Sequence, residues 1–147
     1  MKRFAIGIIL VMLLGLTGSS SATLSQSFIR ISTSTDVVNL GTAHFFNGVH
    51  EVMNALKVEV ETNGWHGPVI LSTTPLERQG GGIIEPSDIY VRTPKIGHYV
   101  SLKHPVIILP TASGTQEITV DFQVQTELNY PSGQYKGMLT LTIIPPV

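Results

Sequence analysis

Apolar and polar residues alternate along much of this chain, and a period of two is the mark of a strand with one face buried. Ile118, Val120, Phe122 and Val124 fall on one face, with Thr119, Asp121, Gln123 and Gln125 on the other. Leu56, Val58 and Val60 alternate with Lys57, Glu59 and Glu61 in the same way, and Leu139, Leu141 and Ile143 alternate with Thr140, Thr142 and Ile144. Residues 28–32, 37–40, 69–72, 89–92 and 106–109 are shorter candidates, rich in β-branched or aromatic side chains and bounded by turn formers. Asn63-Gly64, Thr74-Pro75, Gly80-Gly81-Gly82, Glu85-Pro86-Ser87, Ser113-Gly114 and Pro131-Ser132-Gly133 punctuate them. Only residues 49–56 carry helical potential, and they are short and poorly capped. The pattern predicts an all-β chain of about seven to eight strands in a two-sheet antiparallel sandwich.

The first 22 residues read differently. Lys2 and Arg3 precede a run of about thirteen residues that is apolar apart from glycine, and Ser20 and Ala22 occupy the small-residue positions of a cleavage site. A basic start, a short apolar stretch and a small-residue exit make a secretory signal peptide. The run falls short of the roughly twenty residues a membrane span needs. Residues 1–22 are therefore expected to be removed after Ala22, leaving 23–147 as one sandwich domain that is secreted, periplasmic or on the cell surface. No membrane span is expected after cleavage. With Lys2 and Arg3 gone, the formal net charge of −1 becomes −3.

Near the end, Tyr130-Pro131-Ser132-Gly133-Gln134-Tyr135-Lys136-Gly137 leads into Met138-Leu139-Thr140-Leu141-Thr142-Ile143. Proline fixes φ for a turn and Gly133 tolerates positive φ, so a strand-turn-strand unit is expected, its last strand beginning at Tyr135. The run resembles the closing hairpin of secreted bacterial immunoglobulin-like sandwiches, including pilus subunits and WxL-type cell-surface domains. Val38-Asn39-Leu40-Gly41 and Leu56 to Trp65 resemble the early strands of those domains. The resemblance implies an immunoglobulin-like β-sandwich that works as a surface or fimbrial subunit. Leu141 stands where a WxL domain has tryptophan, so peptidoglycan binding of that type does not carry over. The cysteine pair common among pilus subunits is missing too, since the chain has no cysteine.

Composition narrows the chemistry. Hydrophobic residues make up 42% and charged residues 13%, with 9 Lys and Arg against 10 Asp and Glu. A near-neutral, weakly charged chain has no electrostatic footprint for nucleic acid. Without cysteine, disulfides, thiolate metal sites and cysteine nucleophiles are excluded. Five histidines, His44, His50, His66, His98 and His104, invite a metal. The separation of six within His44/His50 and His98/His104 spans about 20 Å of strand, too far for one ion. They are read as exposed or loop histidines. Glu85, Asp88 and Asp121 are read as solvated carboxylates, not calcium ligands. Gly80-Gly81-Gly82 lacks the Lys and the helix of a phosphate loop, and no G-x-S-x-G occurs. No catalytic, cofactor-binding or metal residue is nominated.

Trp65 stands beside Gly64, with Gly67-Pro68 following. Its favoured role is a plug between the sheets; the alternative is an exposed platform stacking on sugars. What remains is interaction. The expected function is a non-catalytic structural or adhesive subunit of a fimbria-like or extracellular matrix assembly, its partners being other copies of itself or related surface subunits. Association is expected through edge strands or strand donation. Phe28, Ile29 and Ile31, behind a polar N-terminal lead, are the candidate donated segment. A carbohydrate-binding module holding polysaccharide on Trp65 is the alternative.

Overall fold

The computed structural model describes residues 3–8, 26–40, 48–127 and 130–145. Its strands are β1 (Arg3–Ile8), β2 (Ile29–Thr33), β3 (Val37–Asn39), β4 (Gly48–Thr62), β5 (Trp65–His66), β6 (Val69–Thr73) and β7 (Leu76–Arg78). They continue with β8 (Ile83–Ile84), β9 (Ile89–Arg92), β10 (Val100–Ser101), β11 (Val106–Leu109), β12 (Ala112–Ser113), β13 (Gln116–Thr126) and β14 (Tyr135–Ile143). A 3-10 turn, Pro86–Asp88, is the only helical element among the described residues. No helix there is long and apolar enough to cross a membrane.

One sheet runs β11-β6-β14-β1-β3, with β7 also on β14 and β8 on β7; the other runs β10-β9-β13-β4-β2, and β5 and β12 form a two-stranded ribbon. The residues that alternate in the sequence are those that close the interior between the two sheets. Leu56, Val58, Val60, Ile89, Val91, Ile118, Val120, Phe122 and Val124 from the second sheet share one core with Val38, Val69, Leu71, Ile108, Leu139, Leu141 and Ile143 from the first. The chain is all-β, and its sheets are antiparallel except where β1 runs parallel to β14.

Two expectations need correction, and one weak local preference is overridden. Residues 49–56 are strand: they extend β4 against β13 along the length of both, and that ladder overrides a weak local preference. The final two long strands are no hairpin, because β13 pairs with β4 and β9 while β14 pairs with β6, β7 and β1. The turn that Gly133 shapes with φ 149° carries the chain from one sheet to the other. The strands also outnumber the seven or eight expected, since two-residue pieces such as β5 and β12 are too short for alternation to reveal.

Beyond Ile143 the chain is pinned. Ile144 N–H donates to the Pro68 carbonyl at 3.1 Å. A Cβ on Gly67 would lie 2.0 Å from the Ile144 oxygen, so only glycine permits this approach. The β11 edge of the first sheet is framed by Pro105 and Pro110 and slips register between Ile107 and Leu109, features that discourage pairing with another chain.

Candidate functional site

The position held by β1 is the most unusual place in the fold. Residues 3–8 stand opposite 136–141 of β14 on one side, and residues 3–5 stand opposite 37–39 of β3 on the other. Within the sheet, β3 is joined to the rest through β1 alone. The strands flanking this position belong to the deep interior: Val38, Leu139 and Leu141 have no exposed surface, and neither does Leu40 just beyond β3. Along Arg3-Phe4-Ala5-Ile6-Gly7-Ile8 the larger apolar residues come at 4, 6 and 8, opposite Gly137, Leu139 and Leu141, which lie in the inward-facing row of β14. These same residues carry the pattern of a leader expected to lie outside the sandwich.

The nominated donor segment lies elsewhere and is already engaged. Ile29 and Ile31 belong to β2, which pairs antiparallel with β4, and Ile31 is buried. Phe28, half exposed, is held by its N–H donating to Asn63 Oδ1 at 3.0 Å. Phe28, Ile29 and Ile31 are therefore part of their own domain, which corrects their nomination as a strand free to leave it. Burial of Ile31 in the shared core and the β2–β4 ladder are the reason.

Trp65 is 63% exposed and no plug. In β5 the neighbouring residue, His66, takes the inward position and is fully buried, its Nδ1–H donating to the Gly67 carbonyl at 2.7 Å while Nε2 has no partner among the described residues. His66 thus departs from the expectation of exposed histidines. His50 is half-buried, His98 and His104 are exposed, and His44 lies outside the described residues. Among the described residues no three His, Asp or Glu side chains converge as metal ligands.

The carboxylates expected in solvent are partnered in two cases. Asp88 accepts from the Tyr130 hydroxyl at 2.6 Å. Asp121 is nearly buried and sits opposite a bulge: Val120 faces Leu56 and Phe122 faces Val52, so Met53, Asn54 and Ala55 share the single place across from Asp121. Asn54 takes φ 50° there and gives its N–H to Asp121 Oδ1 at 2.7 Å. Arg92 holds the other oxygen through Nε at 3.1 Å and Nη2 at 2.9 Å. Its Nη2 also reaches Glu51 at 3.3 Å, and its guanidinium lies 4.5 Å from the centre of the Tyr99 ring. Tyr99 in turn donates its hydroxyl to Glu51. Sequence reasoning missed this network, because a bulge is invisible in a period-two pattern; the one hint was a carboxylate among the neutral Thr119, Gln123 and Gln125. With its charges paired, the cluster ties β4 to β13 and β9 at the bulge.

No protein-family model matches this chain, and no curated protein is recognisably similar to it.

Burial, and after it the hydrogen bond to Glu51, raises the Tyr99 pKa above its ordinary value, and burial with the bond to Asp88 does the same at Tyr130. A folded pKa above the unfolded one adds stability that is fully present below the unfolded value, near 10, and is lost as pH climbs toward the folded value. Tyr99→Phe and Tyr130→Phe should therefore leave the phenolate absorbance of the folded protein near pH 10 unchanged, and should flatten the fall of the unfolding midpoint above about pH 10. A clear loss of absorbance at that pH in either variant would contradict the assignment.

Proposed function

We propose that this chain is a non-catalytic structural or adhesive subunit of a fimbria-like or extracellular matrix assembly, exported by way of residues 1–22 and completed by a strand from a neighbour. The observation that supports it is the interior position of β1. If residues 1–22 are cleaved on export, the first sheet loses a strand from between β14 and β3. Residues 136–141 and 37–39 then present unpaired backbone groups beside Leu139, Leu141 and Val38. An unpaired strand edge next to apolar core is a ready template for another extended segment. A donated strand would restore the ladder and cover the core in one step, so association would add directly to the stability of the fold. The exported protein then belongs outside the cytoplasm, in the periplasm, at the cell surface or in the surrounding matrix.

The exposure of Trp65 favours a second reading, an extracellular carbohydrate-binding module. A flat aromatic face on a short ribbon, with no atom near the Cβ position of Gly64, leaves room for a sugar ring. In that case Trp65→Ala abolishes binding to polysaccharide while the unfolding temperature stays the same; retained binding would exclude a role for the indole.

Magnitudes set the test of the first reading. Keeping a large apolar side chain such as Val38, Leu139 or Leu141 out of water contributes about 1.5–3 kcal/mol, and three of them approach the roughly 5–15 kcal/mol that holds a whole domain together. Residues 23–147 alone should therefore be several kcal/mol less stable than the uncleaved chain in denaturant titration. Equal stability of the two forms would remove the basis for strand donation.

A further inference from the structure

A polypeptide that fills the place between β14 and β3 must bring a free extended segment as long as the six-residue register of β1. The N-terminal lead of a second copy is the first candidate, and the geometry of this lead excludes it. Asn63 grips it at two points, accepting from Phe28 N–H at 3.0 Å and donating through Nδ2 to the Gln26 carbonyl at 2.8 Å. From Ile29 the chain is laddered onto β4. After cleavage behind Ala22, the residues ahead of this grip are Thr23, Leu24 and Ser25, with one large apolar side chain among them. At about 3.3 Å per residue they reach roughly 10 Å, half of what six paired positions require. Freeing a longer stretch means breaking the Asn63 bonds, detaching β2 from β4 and exposing Ile31. Every other described strand is likewise held in a sheet or ribbon of its own domain.

We infer that the strand comes from a different polypeptide, and that this chain accepts a strand without donating one to its own copies. The inference rests on the strand-acceptor reading above. Register defines what the donor looks like. It is an extended segment of about six residues, running parallel to β14, with large apolar side chains at three alternate positions, opposite Gly137, Leu139 and Leu141. Its first residue stands opposite Lys136, an exposed cation. Two like charges directly opposed are unfavourable, so an acidic or neutral residue suits that place better than the arginine at position 3.

Sedimentation of residues 23–147 over a hundredfold range of concentration, and thermal unfolding with two peptides, test this. One peptide carries residues 3–8 with the substitution Arg3→Glu; the other carries residues 23–34. The expected result is a monomer throughout, with an unfolding midpoint raised by several degrees by the first peptide and unmoved by the second. Polymers that grow with concentration, or stabilisation by the second peptide, would show that copies donate to one another, overturning the inference while leaving the acceptor site standing. A stable monomer indifferent to both peptides would overturn the inference and the acceptor reading together.

Discussion

A strand inside a sheet has hydrogen-bonding groups on both of its edges, and in a folded protein both rows need partners. β14 meets this demand on one side with β6 and β7 and on the other with β1. The arrangement of the first sheet follows from that second partner. Through it β3 joins the sheet, and beside it lie Leu139, Leu141 and Val38, all without exposed surface. The only parallel pairing among the described strands is also found here. A parallel neighbour cannot arrive by a tight turn from the adjacent strand; it must come from a remote part of the chain or from another chain. That topological fact, more than any cluster of reactive groups, sets this position apart from the rest of the molecule.

Two of the sheet edges contrast with it. β11 is bounded by prolines and bulged, and β10 is two residues long, so neither gives a straight run of donors and acceptors. On the second sheet the longest strands, β4 and β13, are bound together by the Asp121 bulge and its Arg92 and Asn54 partners. A carboxylate this enclosed is stable only when its oxygens are bonded, and here backbone and guanidinium share the task. The sheet that holds β1 is thus packed against one that is firmly tied.

Much of this architecture is legible in the sequence, because burial on one face of a strand forces alternation. The rows Leu56-Val58-Val60, Ile118-Val120-Phe122-Val124 and Leu139-Leu141-Ile143 all point into the core, and Tyr135 does begin the last strand. Alternation says nothing about neighbours, however, and so the separation of β13 and β14 into different sheets was hidden. Trp65 was readable in principle. Continuing the inward row Val58, Val60, Thr62 through the turn makes 64 and 66 inward and 65 outward, as found. Size and hydrophobicity suggested a buried indole; parity gave the better guide. The large-small-large order of Phe4, Ala5, Ile6, Gly7 and Ile8 likewise carries a strand signal inside what composition marks as a leader. The pattern of a leader and the pattern of a strand draw on the same apolar residues, and composition alone registers only the first.

The decisive property is whether β14 is left with an open side when residues 1–22 are removed. Amide hydrogen exchange across 136–141 and 37–39, compared between the uncleaved chain and residues 23–147, measures this directly. Protection should collapse in both segments on removal of the leader while the β4–β13 ladder keeps its slow exchange. Equal protection of 136–141 in the two forms would mean that the sheet closes by itself, and the central claim would be wrong.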